Sequence, residues 1–494
     1  MGTPASFDLT NCYAADDAPD DVTAGECYDV AVIGGGVVGH GIAWAARQSG
    51  RSVALIDDAP GSGASWAAAG MLAPVSELHY QEEGLLELML ESSRLWPDFA
   101  ADLERDDGVP ADSGTDRGTA AGTDSGTDRG TAAGTGYLTT PTLVVGADAA
   151  DRRALADLRT VQQACGLAVQ PLTVREARGR EPLLSPGISC AFDIPADHQV
   201  DPRRLLARIA ALLAADSQYC LVPRRAAGLR WEDGRVSGVS LAGGGKVRAR
   251  ETIVANGLGA AGLAGLPAGL DLPLRPVHGD ILRLRVPAHL RPLLVSTVRG
   301  LVRGVPVYIV PRQDGTVVIG ATQREDTLSE PDAPGTGAVS AGAVSAGGVY
   351  QLLRDAQQLL PAVAELELLE ATARARPGTP DNAPLLGRVA DRSPGRDGDV
   401  GGLIIATGFF RHGILLTPAA ARICRQLLDS TADPRWANFR PDRFSAGSQP
   451  PDPRLPGTRP PPEHSNPEHS PPEHSNPEHS NPEHSNPEHS KETL

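Results

Sequence analysis

The feature that most constrains this chain is Tyr28 to Ile33, YDVAVI, running without a break into Gly34-Gly35-Gly36-Val37-Val38-Gly39. A short apolar run that stops at clustered glycines reads as a buried strand entering a tight turn. Val38 to Ser49 then reads as a helix, and Ser52 to Ile56 (SVALI) as a second strand. The unit is β-α-β with GxGxxG at its first turn, the context in which that motif binds a dinucleotide. Gly34 permits the turn, Gly36 lets the backbone approach a pyrophosphate, and Gly39 lets helix and strand pack closely. The pyrophosphate would rest on the helix N-terminal amides. Asp57 closes the second strand, where a carboxylate accepts hydrogen bonds from a ribose 2′-hydroxyl and disfavours a 2′-phosphate.

The motif does not separate NAD from FAD. The following segment, Gly61 to Leu72, is GSGASWAAAGML. Small residues this dense would let a planar ring lie near the backbone. They would equally make a plain packing surface, and composition leaves both readings open.

With 494 residues, 40% of them hydrophobic, the chain can bury a large core and is expected to form two or more domains. No apolar run is long enough to span a membrane. The stretch before Tyr28 lacks a basic n-region and apolar h-region, so a cytoplasmic location is expected. A net charge of −16 argues against nucleic acid and anionic membranes as partners. Cys12, Cys27, Cys165, Cys190, Cys220 and Cys424 are scattered, with no CxxC pair, so neither a disulfide framework nor a metal site is expected.

Three stretches are repetitive: DSGTDRGTAAGT at Asp112 to Thr123 and again at Asp124 to Thr135, the GAVSA pair from Gly337 to Ala346, and the PEHS tail from about Pro462 to Ser490. Such composition cannot bury enough apolar surface to offset its ordering entropy, so these stretches are expected to loop out or trail. The tail repeats His464, His469, His474, His479, His484 and His489, but the recurring prolines prevent a helix that would align them for a metal.

Elsewhere, Tyr137 to Val145, Asp280 to Val286, Val305 to Val310 and Thr316 to Ile319 read as antiparallel strands, with Gln313-Asp314-Gly315 as a hairpin turn. Gly402 to Ala406 reads as another apolar strand, followed by a helix from about Thr417 to Leu428. The economical fold is α/β, a dinucleotide-binding unit contributed by both ends of the chain with a sheet-rich insertion between them.

GASWAAAGMLAP, VYIVPRQDGTVVIGAT, RPGTPDNAPLLG and ATGFFRHGILLTP occur in this order. Together they resemble the glycine oxidase branch of the D-amino-acid oxidase superfamily, from roughly Tyr28 to Phe444, the two internal repeats excluded. The resemblance implies a Rossmann-type FAD-binding domain with an inserted α+β substrate domain on a mostly antiparallel sheet. It implies segments 28–107, 193–262 and 372–444 for FAD and 137–192 and 263–371 for substrate, with 108–136 a repeat insertion and 445–494 a tail. FAD is expected without a covalent bond, since no Cys lies between Arg374 and His412. By motif match, Val37 and Val38 would meet the pyrophosphate, and Asp57 and Asp58 the ribose. Ala64, Ser65, Ala69, Gly70 and Met71 would lie along the flavin, and Ala227 near the adenine. Phe409, Phe410, Arg411, His412, Gly413, Ile414 and Leu415 would line the isoalloxazine.

The same match makes Arg376 and Arg411 the groups that grip a substrate carboxylate, with Tyr308 donating a third hydrogen bond. A planar guanidinium suits that task because it offers two parallel charge-assisted hydrogen bonds. Arg374 shares a strand face with Arg376 but gains no role from the match. The implied reaction is hydride transfer from the Cα of a small amino acid or amine to flavin. The imine is hydrolysed or handed to thiazole synthase, and O₂ is the electron acceptor. A homo-oligomer is expected. Pro306, Gln323, Phe409, His412 and Asp280 depart from the family pattern, and His278 and His412 read as packed or surface histidines. A sarcosine or D-amino-acid oxidase, a dehydrogenase using another acceptor, and a non-catalytic flavin-binding scaffold are the alternatives.

Overall fold

In the computed structural model the described residues are 27–80, 82–105, 134–325, 343–393 and 395–445. The Cys27–Ile33 strand sits inside a sheet ordered Leu385–Gly387, Leu403–Thr407, Lys246–Val254, Cys27–Ile33, Val53–Ile56, Tyr219–Val222. From Leu403–Thr407 to Tyr219–Val222 every neighbouring pair is parallel. Leu385–Gly387 is an antiparallel edge, and a hairpin of Ala226–Glu232 and Arg235–Leu241 branches from Lys246–Val254. All of Val30 to Ile33 and Val53 to Ile56 is buried. Parallel strands are covered on both faces, which is why these segments are apolar throughout rather than alternating. Helices Pro202–Ala214 and Thr417–Leu428 both pack on helix Val37–Gln48 beside this sheet.

A second sheet is ordered Glu367–Gly378, Arg275–Arg285, Thr316–Gly320, Val305–Pro311, Thr297–Val302, Thr142–Gly146, Cys190–Ile194, Gln170–Leu172. It is antiparallel except where Thr297–Val302 runs parallel to Thr142–Gly146. One face packs against helix Ala346–Leu359, through Leu352, Ala356 and Leu359. The opposite face is turned to the first sheet's strand ends and carries the functional side chains. The hairpin read at Gln313-Asp314-Gly315 is present. Gly315 has φ 80°, Arg312 N donates to Thr316 O at 2.9 Å, and Asp314 Oδ1 accepts from Thr316 N at 2.9 Å.

Three expectations are corrected. The strand read from Tyr137 to Val145 begins only at Thr142, because Leu138 pairs instead with Gln199 and Pro141 has no N–H to give a ladder. The GAVSA pair does not loop out to its end: Ser345 caps helix Ala346–Leu359 by accepting a hydrogen bond from Gly348 N at 3.2 Å. The second DSGTDRGTAAGT repeat likewise ends in the folded body, where Thr135 Oγ1 donates to Glu104 Oε1 at 2.6 Å and Gly134 O accepts from Arg204 Nε at 3.1 Å. The rest of both repeats and the whole PEHS tail lie outside the described residues. Among the described residues no helix is long and apolar enough to cross a membrane.

Candidate active site

The C-terminal ends of the parallel strands converge on a cavity of about 490 Å³, whose wall includes Ile33, Ile56, Ala255 and Thr407. Open α/β sheets bind ligands in this place. The glycine turn forms one end. Gly34 holds φ 108°, and a Cβ on it would fall 2.6 Å from Ala255 O. Gly39 does not reach the cavity. It packs helix on strand, since a Cβ there would fall 1.9 Å from Gly34 O. Gly36, Val37 and Val38 do line the cavity. The Val37–Gln48 helix begins after Gly36, which has no side chain to cap it, and has no acidic residue in its first turn, so its dipole favours an anion, while Val37 N donates to Ser65 Oγ at 3.0 Å.

Asp57 lines this end and braces it: Oδ2 accepts from Gly35 N at 2.6 Å and Oδ1 from Ala59 N at 2.7 Å. Burial pushes its carboxyl above the ordinary range. Asp58 lines the same end and pairs with Arg225 at 2.9 Å. Ala227 is exposed, next to Arg225 and Ala226, which are in the wall. In the Gly61 to Leu72 segment, Ala64, Ser65, Ala69, Gly70 and Met71 all line the cavity, leaving room for a planar ring beside the backbone. Trp66 turns away from it, to stack under the Arg203 guanidinium at 3.7 Å. A glycine-floored anion site with a bracing carboxylate, opening on a bed of small residues, fits an FAD molecule.

The other end is built by the antiparallel sheet. Arg299 stands directly across from Tyr308, and Tyr308 across from Gly320. Cross-strand partners project from one face, so both side chains enter the cavity together. Gly279 and Arg376 reach the same face from Arg275–Arg285 and Glu367–Gly378. Arg376 Nη1 donates to Thr322 O at 3.4 Å, and Tyr308 shares the cavity wall with its head. Burial lowers the Arg376 guanidinium and raises the Tyr308 phenol from their ordinary values. Arg374 is held apart, its Nε donating to Ser62 O at 2.9 Å.

Arg411 is at the cavity, but its head is already engaged. Nε donates to Glu77 Oε2 at 3.0 Å, and Nη2 ion-pairs with Glu82. Glu77 also ion-pairs with Arg299. Burial, then the Arg411 charge, brings the Arg299 guanidinium down to about 10. Glu77, His79 and Arg299 all line the cavity, and the sequence reading missed them. For Glu77 and His79 the one signal was the VSELHYQEE segment directly after AAAGMLAP, which puts carboxylates close in sequence to the small-residue bed.

Phe409 to Leu415 line the cavity throughout, and Phe410 N donates to Pro377 O at 3.0 Å, tying this loop to the Arg376 strand. His412 is buried in the wall with Nε2 unpartnered among the described residues. Burial first, then Arg411, His79 and Arg299, holds its pKa well below the ordinary value, so it is neutral. Pro306 and Gln323 are also in the wall. His278 and Asp280 act in the frame. His278 bridges to Arg324, and Asp280 accepts from Arg324 Nη2 at 3.0 Å and Thr322 Oγ1 at 2.9 Å. Among the described residues no group of three or more His, Cys, Asp and Glu is placed to hold a metal ion.

Residues 29–427 match the family described as FAD dependent oxidoreductase. A glycine oxidase of Geobacillus kaustophilus is 32% identical over 406 residues, which are 81% of this chain and 93% of that protein. The crystal structure of glycine oxidase from Geobacillus kaustophilus superposes with a TM-score of 0.68 at 30% identity, covering 84% of this chain and 99% of that one. A bifunctional ThiO/ThiG protein of Trichormus variabilis is 27% identical over 84% of this chain and 55% of its own length. With FAD as its cofactor and amines as the donors it oxidises, the chain belongs to the FAD-dependent oxidoreductases of the D-amino-acid oxidase superfamily, on the branch that holds the glycine oxidases.

Proposed function

We propose that this protein oxidises glycine, or an amine nearly as small, and supplies the thiazole branch of thiamine synthesis. The observation that carries the reading is the Arg376 head, set beside the Tyr308 hydroxyl in the cavity wall with no carboxylate of the protein bonded to it among the described residues. A substrate carboxylate would complete that site with two charge-assisted hydrogen bonds from Arg376 and a third from Tyr308. Arg411 serves by holding Glu77 and Glu82 in place and closing the wall, rather than by gripping the substrate directly.

The chain's own contribution is positioning and desolvation. Anchoring the acid end fixes where the Cα–H points. The apolar wall, including Ile281, Val307 and Phe409, favours the neutral amine whose lone pair assists C–H cleavage. FAD held along Gly36, Val37, Val38 and Asp57 would supply a two-electron acceptor for that hydride, with O₂ as the final acceptor, reduced to hydrogen peroxide by the two electrons and two protons removed from the amine. Loss of the hydride from Cα and a proton from nitrogen leaves an imine, which water converts to glyoxylate and ammonia. The ThiO/ThiG relative, in which a matching segment shares one polypeptide with a second part, supports handing the imine to thiazole synthase.

Anaerobic mixing of the FAD-loaded protein with glycine, sarcosine and D-alanine tests this, read as bleaching of the flavin band. Glycine should bleach fastest, and hydrogen peroxide should appear when air is admitted. No bleaching by any of the three would favour a non-catalytic flavin-binding protein. Bleaching without peroxide would indicate a dehydrogenase.

A further inference from the structure

Three guanidinium groups, those of Arg299, Arg376 and Arg411, meet at one end of the cavity. Two carboxylates answer them. Glu77 bridges Arg299 and Arg411, with Oε2 to Arg411 Nε at 3.0 Å. Glu82 takes Arg411 Nη2 and is itself held by Asn382 Nδ2 at 2.9 Å. Arg283 and Arg312 also act on Tyr308, Arg283 facing Glu370 at 3.9 Å and Arg312 Nη1 donating to Val200 O at 3.0 Å. Burial and the Arg411 charge keep His79 and His412 neutral, and burial raises the Tyr308 phenol. Asp280, on the opposite face of its strand, is spent on Arg324 at 3.0 Å. Of the three guanidinium groups at this end, Arg376 is the one with no carboxylate bonded to it among the described residues, and its charge is the one left in excess.

A buried excess charge is stabilised by one counter-charge of matching geometry and by no more than one. A second carboxylate would find Arg299 and Arg411 already neutralised and would face the Glu77 carboxylate. We infer that Glu77 is a specificity-determining residue: by bridging Arg299 and Arg411 it restricts the site to substrates with a single carboxylate and rejects dicarboxylic amines. This rests on Arg376 being the carboxylate anchor of the proposed function. The rejection is electrostatic, so it acts on binding before any chemistry.

The test uses the FAD-loaded, oxidised enzyme with two ligands that cannot be oxidised, acetate and malonate, each titrated against the flavin absorbance. Wild type should bind acetate in preference to malonate. Glu77→Gln keeps the shape and deletes the charge, and should shift the preference toward malonate by about tenfold or more. Adding Arg299→Met to Glu77→Gln removes the freed cation and should return the preference to wild type, which loss of packing alone would not do. A preference that stays within about twofold of wild type in Glu77→Gln, or a wild type that prefers malonate, overturns the inference. Should Glu77→Gln fail to fold, Arg299→Met alone decides. It leaves Glu77 short of one cation and should weaken acetate by about tenfold, and unchanged acetate binding overturns the inference. Glycine bleaching is read separately. Its absence with the acetate-to-malonate shift intact overturns the proposed activity alone, and its presence without the shift overturns this inference alone.

Discussion

The Arg376 guanidinium lies so close to the backbone of Gly279 that a Cβ on Gly279 would fall 2.3 Å from Arg376 Nη2. Gly279 is therefore the bed on which the Arg376 head, the proposed carboxylate anchor, rests. Gly279→Ala should push the Arg376 head off its line to Tyr308 while leaving the buried ladder of Arg275–Arg285 intact. The expected result is a rise in KM for glycine of about tenfold or more, with a melting temperature close to wild type. An unchanged KM would remove Gly279 from the site.

Arg376 should not be replaceable by lysine. An ammonium keeps the charge but loses the planar fork that pairs with both carboxylate oxygens. Arg376→Lys should lower kcat/KM for glycine by roughly 100-fold, the order of a lost charge-assisted pair in a desolvated site. Tyr308→Phe removes a single neutral donor and should cost about tenfold. Steady-state kinetics of the two variants check the ranking, and the reverse order would mean that Tyr308 is the principal anchor.

Asp57 accepts hydrogen bonds from Gly35 N and Ala59 N, at 2.6 and 2.7 Å, and so holds the glycine turn in shape as well as facing the cavity. Asp57→Ala should weaken FAD binding by about tenfold or more, measured as cofactor retained through gel filtration or as an FAD dissociation constant. Retention equal to wild type would show that the turn needs no brace.

Asp197 supplies a pH signature in the frame. It is fully buried, accepts from Val75 N at 2.9 Å and Ser76 N at 2.8 Å, and burial pushes its carboxyl up to about 6. A folded value above the ordinary one means that the fold favours the protonated form. That contribution is fully present below about pH 4 and is lost as pH rises through about 6. Denaturant unfolding of wild type and Asp197→Asn should therefore differ by an amount that moves in the variant's favour between about pH 4 and 7, by at most about 3 kcal/mol. A difference independent of pH would show that the carboxylate is ionised throughout.

Much of the nucleotide end was legible from local sequence, because its determinants are local. YDVAVI, the glycine turn and Asp57 belong to one β-α-β unit, and a turn that only glycine can make constrains its neighbours strongly. The helix at Thr417–Leu428 and the hairpin at Gln313-Asp314-Gly315 were legible for the same reason, each stated by its own periodicity or turn residues. The strand that starts at Ala226 shows the limit of such reading, since successive residues of a strand face opposite ways and local sequence does not say which face is covered.

By itself the sequence determined that a dinucleotide turn, a small-residue bed and motif arginines would occur in one chain. Only the tertiary structure decided which charges meet. Glu77 and Arg411 are 334 residues apart, as are Glu82 and Arg411 at 329 and Arg299 and Glu77 at 222. Coulomb interactions depend on distance in space and on burial, and neither quantity is written in local composition. That Arg376, alone of these arginines, keeps no bonded carboxylate among the described residues is therefore a property of the fold.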